Sequence, residues 1–201
     1  MPTQNHDLHG SAPDESPVVM LIIDLINDFM FDGGAELYER SLPVARNIAA
    51  LRRRAKEAGI PIVYVNDNFG KWQSDLRSII AHCLEDDVRG RPIVRLLQPE
   101  DDDYAILKPK HSGFYATTLE LLLKHLGART LIVCGISTHI CVQFTANDAY
   151  MRDFALVIPA DCVAADSDED GGYALRSMRD TLDARIDPSP SLDLDRLKEA
   201  H

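Results

Sequence analysis

A chain of 201 residues with 45% hydrophobic and 26% charged residues suits one domain with a full core. The net charge of -11, with Arg52-Arg53-Arg54-Ala55-Lys56 as the one local basic cluster on a solvated helix face, argues against nucleic acid as a partner. No apolar run approaches the ~20 residues of a membrane span. The polar start, with Asp7, Asp14 and Glu15, is unlike a signal peptide, and four cysteines without CxxC or paired metal spacing point to reduced thiols in the cytoplasm.

Residues 1–16, with Gly10 and Pro13, read as a flexible lead-in, and residues 17–201 as a single domain. Val18 to Ile23 is a continuous apolar run, hence a strand buried on both faces. Val44, Ile48, Leu51 and Ala55 recur at helical spacing, which predicts a helix over 43–58 closed by Gly59. A strand follows over 60–65 and a helix over 74–84. The stretch 85–103 reads as a long irregular connection rich in Pro and Asp. It carries Val88, Ile93, Val94, Leu96 and Leu97, so it either packs on its own domain or covers an interface or active site. Next come a short strand at 105–107 and a helix over 117–126 ended by Gly127. A strand at 130–134 is broken by Gly135 and followed by a helix over 139–152. A strand at 155–158, a helix over 169–184 and a last short strand near 184–186 complete the series. Pro188-Ser189-Pro190-Ser191 reads as a turn before a terminal helix. Strands alternating with helices mean an α/β fold, its parallel sheet covered on both faces.

In such sheets, ligands bind where the strand C-termini converge. The polar residues just after strands are Asp24, Asn66, Asp67, Lys108, Cys141 and Asp161. Cys141 falls in the first turn of a helix, where free N–H groups and the dipole favour a thiolate. Cys134 lies inside a strand, Cys83 in a helix, and nothing activates Cys162. Asp24 is suited to take the thiol proton, and the Lys108 ammonium would stabilise both anions. Backbone N–H groups of the turn from Gly135 to Cys141 would receive an oxyanion. Each residue also has a plainer use: Asp24 as a helix cap, Lys108 as a surface lysine, Cys141 as a small core residue.

Four motifs occur in order: Leu21-Ile-Ile-Asp24-Leu-Ile-Asn-Asp-Phe29, Lys108-Pro-Lys-His-Ser-Gly-Phe114, Val133-Cys-Gly-Ile-Ser-Thr-His-Ile-Cys141-Val, and Asp161-Cys-Val-Ala-Ala. Over about residues 17–187 the chain resembles the isochorismatase-like cysteine hydrolases. The resemblance implies a three-layer α/β/α sandwich with a mostly parallel, Rossmann-like sheet. It makes Asp24 the general base, Lys108 the third catalytic residue and Cys141 the nucleophile. It also implies a cis peptide at Ile136–Ser137, with the Ser137 and Cys141 N–H groups as oxyanion hole, and a homo-oligomer, a dimer at least. Nicotinamidases of this family carry an Asp-x-His metal motif after the second strand. Here that place reads Asn66-Asp-Asn-Phe-Gly-Lys-Trp72, without the histidines, and neither His82 nor His111 has ligand spacing with Asp67, so no metal and no cofactor are expected. Phe29, Asp67, Trp72, His111, Phe114, Tyr115 and Ser137 flank the strand ends as candidate pocket residues. The expected activity is metal-independent cleavage of an amide or ureido C–N bond in a small molecule through a thioester. Vinyl-ether hydrolysis of the isochorismatase type and a non-catalytic binding protein are the alternatives.

Overall fold

The apolar runs build one six-stranded sheet in the computed structural model of the protein, which describes residues 15–199. Of the predicted lead-in, residues 1–14 lie outside the described residues. The strands are β1 (Val18–Ile23), β2 (Ile62–Asp67), β3 (Tyr104–Lys108), β4 (Thr130–Ile136), β5 (Ala155–Val157) and β6 (Val163–Ala164). Their order is β3-β2-β1-β4-β5, with β6 beside β4, and these strands pair in parallel. The chain steps outward from β1 to β3, then returns to the opposite side of β1. The strand order therefore reverses between β1 and β4, and a crevice opens there at the strand C-termini.

The helices are α1 (Gly34–Glu57), α2 (Leu76–Glu85), α3 (Arg91–Leu96), α4 (Leu119–His125), α5 (Gln143–Tyr150), α6 (Asp168–Leu182) and α7 (Leu194–Glu199). Alternation along β1 sends Val18, Met20 and Ile22 to the layer of α1, α2, α3 and α7. Val19, Leu21 and Ile23 go to the layer of α4, α5 and α6. All six are essentially excluded from solvent, and each such side chain contributes about 1.5–3 kcal/mol through burial. That is why the strand reads as an unbroken apolar run. The expected three-layer sandwich is the fold observed. No helix among the described residues is long and apolar enough to cross a membrane.

Several boundaries differ from the sequence reading. α1 begins nine residues before the predicted start and carries Pro43 within it. Pro usually marks a helix start because it cannot donate, yet the buried stripe begins earlier, at Leu37 and Ser41. β2 starts two residues late, after Pro61, and runs on through Asp67. Gly135 does not break β4. It pairs with Ile23 of β1 at φ 128°, and a Cβ there would run into the Ile23 carbonyl. The stretch 85–103 is not irregular throughout. It contains α3, and Ile93, Val94 and Leu97 are buried in the α1-side core, so they pack on their own domain. Of the expected strand near 184–186, a single bridge between Arg185 and Val157 forms.

Candidate active site

Strand register brings the polar groups together. Asp67, the last residue of β2, lies opposite Lys108, the last residue of β3. Asp24 directly follows β1 in a left-handed conformation (φ 54°), and its N–H donates to the Val65 carbonyl (3.1 Å). Its chain therefore turns out of the sheet beside Asp67, whose backbone N–H donates to Asp24 Oδ1 (2.6 Å). Buried Asn66 clamps the same turn, donating to the Ile26 carbonyl (3.0 Å) and accepting from the Ile26 N–H (3.2 Å). Asp24 is thus not a helix cap, since no helix follows it.

Lys108 is no surface lysine. Its side chain has no solvent exposure, and Nζ lies 2.8 Å from Asp24 Oδ2, 3.4 Å from Asp67 Oδ2 and 3.4 Å from Cys141 Sγ. Asp24 also shares a hydrogen bond with the thiol. The ammonium is therefore held by two carboxylates at the ends of neighbouring strands and by the sulfur of Cys141. Cys141 stands in a π-helical turn, Thr138–Val142, that leads into α5. The Ile136–Ser137 peptide ahead of it is cis, and Ser137 Oγ donates to Asp166 (3.2 Å).

The electrostatics set the direction of proton flow. Burial raises the Asp24 carboxyl above its ordinary 3.8, against the opposing pull of Lys108. Burial works to lower the Lys108 ammonium, but Asp24 and Cys141 outweigh it and the net shift is upward. Burial and then the Asp24 carboxylate push the Cys141 thiol up to about 12, against the pull of Lys108. The resting group is therefore a protonated thiol. The helix-start argument expected a thiolate; desolvation beside a carboxylate prevails over the turn's partial charge. Moving the thiol proton to Asp24 keeps the total charge of the trio unchanged, so the transfer creates no net buried charge.

Cys83, Cys134 and Cys162 are fully buried, whereas Cys141 is only partly buried. Native alkylation with iodoacetamide should label Cys141 ahead of the other three, at a rate still climbing between about pH 7 and about pH 10 because only the thiolate reacts. Peptide mapping checks the order. A rate that levels off by about pH 8 would contradict a thiol raised to about 12.

The candidate pocket residues separate into groups. Phe29 is fully buried and packs edge-on against Tyr38, and Phe114 is buried and packs on Phe154 beneath Arg152, so both belong to the core clusters. Exposed His111 places Nδ1 3.9 Å from Cys141 Sγ, its ring tilted on Phe144. Tyr115 and Trp72 are exposed. Asp161, also a strand-end residue, accepts from Ser189 N and Oγ (both 2.7 Å) and so anchors the C-terminal segment.

Sequence reasoning missed a cavity of about 840 Å³ between the loops after β1 and β2 and helix α2. It also missed His82, whose ring nitrogens lie 3.0 Å from Asp28 and 2.6 Å from Asp86 and tie α2 to the loop after β1. The apolar spacing of α2 was readable, but no local pattern pairs residues 28 and 82. Among the described residues, no three His, Cys, Asp or Glu side chains are grouped as a metal ion would require.

The family model described as the isochorismatase domain matches residues 18–186. The isochorismatase family protein YaaI of Bacillus subtilis (strain 168) is 44% identical over 167 residues, covering 83% of this chain and 91% of that protein. The nicotinamidase PncA from Bacillus subtilis superposes with a TM-score of 0.67 at 26% identity, over 85% of this chain and 99% of its own. The N-carbamoylsarcosine amidase from Thermoplasma acidophilum gives a TM-score of 0.67 at 25% identity, over 88% of this chain and 98% of its own.

Proposed function

The chain belongs to the isochorismatase family, and from that premise we propose that it is a metal-independent cysteine hydrolase cleaving the amide or ureido C–N bond of a small molecule. The observation that carries this reading is the Lys108 ammonium, closed off from solvent and shared by Asp24 at 2.8 Å and Cys141 at 3.4 Å. Two structural relatives are named as amidases acting on such bonds.

In this mechanism Asp24 takes the Cys141 proton as sulfur attacks the substrate carbonyl. The N–H groups of Ser137 and Cys141 receive the oxyanion. The tetrahedral adduct collapses as protonated Asp24 gives its proton to the leaving nitrogen, and a thioester remains on Cys141. Asp24, again a carboxylate, takes a proton from water as its oxygen attacks the thioester. Collapse of that adduct releases the acid, and Cys141 regains its proton. Lys108 stays charged throughout, pairing with the Asp24 carboxylate at rest and facing the oxyanion's negative charge once Asp24 is protonated. Asp67 has the position of a metal ligand but turns its carboxylate to Lys108 (3.4 Å) and to the Phe69 N–H (2.7 Å). In this reading it holds the lysine in place.

The test is a panel of small amides, ureido acids and a vinyl ether, assayed with the wild type and with Cys141→Ala, with trapping of the acyl enzyme by mass spectrometry. A Cys141 thioester supports the amidase. Turnover of the vinyl ether independent of Cys141 moves the assignment to the second reaction type, and no turnover at all leaves a binding protein.

The proposal extends to a single domain over 17–201 acting in the cytoplasm, in keeping with four free cysteines, and to a homo-oligomer. Phe144, Tyr150 and Met151 stand exposed on and just after α5 and would be covered in such an assembly. Light scattering at micromolar concentration should give at least twice the chain mass of 22.4 kDa. A monomer mass ends that part of the proposal.

A further inference from the structure

Asp24, Lys108 and His111 all meet Cys141 Sγ, and they differ in chemistry and in exposure. Asp24 and Lys108 are buried. His111 is exposed, with Nδ1 3.9 Å from the sulfur. That distance is long for a hydrogen bond, yet a group bonded to sulfur can come within hydrogen-bond reach of the ring. The histidine is held there by contacts between its loop and α5. Just after it in the chain, Ser112 Oγ donates to Asp148, and the Gly113 N–H donates to Thr145 Oγ1 (3.0 Å). Both acceptors belong to α5, which continues the turn carrying Cys141. A Cβ on Gly113 would lie 2.8 Å from Val65 Cγ1, so the loop sits hard against β2. The His111 ring leans on Phe144 of the same helix, with centroids 5.4 Å apart. The imidazole and the thiol thus share one frame, while the mechanism above gives the imidazole no task.

Hydrolysis of a thioester makes a demand that its formation does not. In the resting site Asp24 takes the Asp67 N–H at 2.6 Å, the Lys108 ammonium at 2.8 Å and the thiol. Acylation removes the thiol proton, and the attacking water takes its place against Asp24. Water has a second O–H. The Lys108 ammonium and the backbone N–H groups of the turn are donors and cannot accept it, whereas a neutral imidazole has one bare nitrogen that can. We infer that His111 holds the attacking water of deacylation, its Nδ1 accepting the O–H that Asp24 does not take. The inference rests on the thioester mechanism proposed above and adds a residue to its second half alone. The water oxygen bonds to the acyl carbon, one proton passes to Asp24, and the carbonyl electrons move onto the oxyanion. The C–S bond then breaks, Asp24 returns its proton to sulfur, and the second hydrogen leaves on the product acid. His111 ends the step neutral, as it began. In acylation the attacking atom is sulfur itself, so no water needs holding there.

Acetylation of the full-length protein with p-nitrophenyl acetate separates the two halves. The initial burst of p-nitrophenolate reports acylation, and loss of the acetyl mass from Cys141 after removal of the ester reports deacylation. His111→Phe keeps a ring against Phe144 but has no nitrogen. It should acylate within about twofold of the wild-type rate and hold its acetyl group at least about tenfold longer. His111→Gln, whose amide oxygen can accept a hydrogen bond, should deacylate at least about threefold faster than His111→Phe. Circular dichroism and alkylation of Cys141 by iodoacetamide at the wild-type rate establish that both variants keep the fold and the trio. Equal acetyl lifetimes in the wild type and His111→Phe overturn the inference and leave the hydrolase standing. So does a slowing of acylation and deacylation by the same factor, which marks His111 as a residue that shapes the site and not one that holds water. A His111→Gln variant no faster than His111→Phe has the same consequence. Failure of the wild type to acquire an acetyl group on Cys141, with Cys141→Ala as the blank, is a different result: it removes the thioester itself, and the hydrolase reading falls together with the inference.

Discussion

Cys141→Ala is expected to lower kcat/KM for amide hydrolysis by a factor on the order of 10⁴ to 10⁶, the size seen when a nucleophile is removed from a catalytic unit. The physical reason is that no other group can form the acyl enzyme. Lys108, the nearest nitrogen at 3.4 Å from the thiol, is held as an ammonium by Asp24 and has no lone pair to attack with, and His111 Nδ1 lies at 3.9 Å with no hydrogen bond to the Asp24 carboxylate. Asp24→Asn should fall to a comparable floor, because the raised thiol then has no proton acceptor and stays protonated at neutral pH. The Cys141→Ala and Asp24→Asn losses should therefore not multiply in the double variant, as expected of residues acting on one step. Steady-state kinetics on the three variants measures this. Multiplicative losses would separate the base from the nucleophile and remove the mechanism.

Gly135→Ala is expected to be the most damaging small substitution in the sheet. Gly135 sits at φ 128°, which an L side chain rarely adopts, and its Cβ would collide with the backbone of Ile23 in β1. Strain of about 1–3 kcal/mol and overpacking of a similar ~1–3 kcal/mol add to roughly 2–6 kcal/mol, a large part of the ~5–15 kcal/mol that holds a domain together. At about 2–4 °C per kcal/mol, thermal unfolding should shift down by roughly 4–24 °C. Because backbone and not a flexible side chain is struck, β4 must move away from β1. Any folded remainder should then lose activity, since Asp24 follows the one strand and Cys141 the other. A melting shift under about 2 °C by circular dichroism would show that the pair of strands relaxes freely, contrary to their register.

The fold was legible in the sequence because strands buried on both faces must be apolar throughout, and helices on a sheet must repeat their apolar stripe. Val18 to Ile23 and the spacing in α2 and α6 show this plainly. Pro43 and Gly135 misled for a common reason. Both residue types usually end elements, but here tertiary contact decides: the buried stripe of α1 runs through the proline, and β4 needs a residue without a side chain where it meets β1. The trio of Asp24, Lys108 and Cys141 could be read as strand-end polar residues, and their mutual distances follow from parallel register. The protonation state of Cys141 could not be read, because desolvation depends on what covers the thiol. Nor could the cavity, which arises where loops of residues 28–31 and 68–74 meet α2, far apart in sequence.

The complete enclosure of Lys108 also separates two responses to dissolved salt. At physiological ionic strength, screening acts over about 8 Å of solvent. It reaches the surface charges that give the chain its excess of eleven negative charges, and so governs how readily a charged substrate approaches. It does not reach an ammonium that no water or counterion touches, held at 2.8 Å by Asp24. The chemistry at Cys141 thus has beside it one positive charge whose strength the salinity of the medium hardly alters.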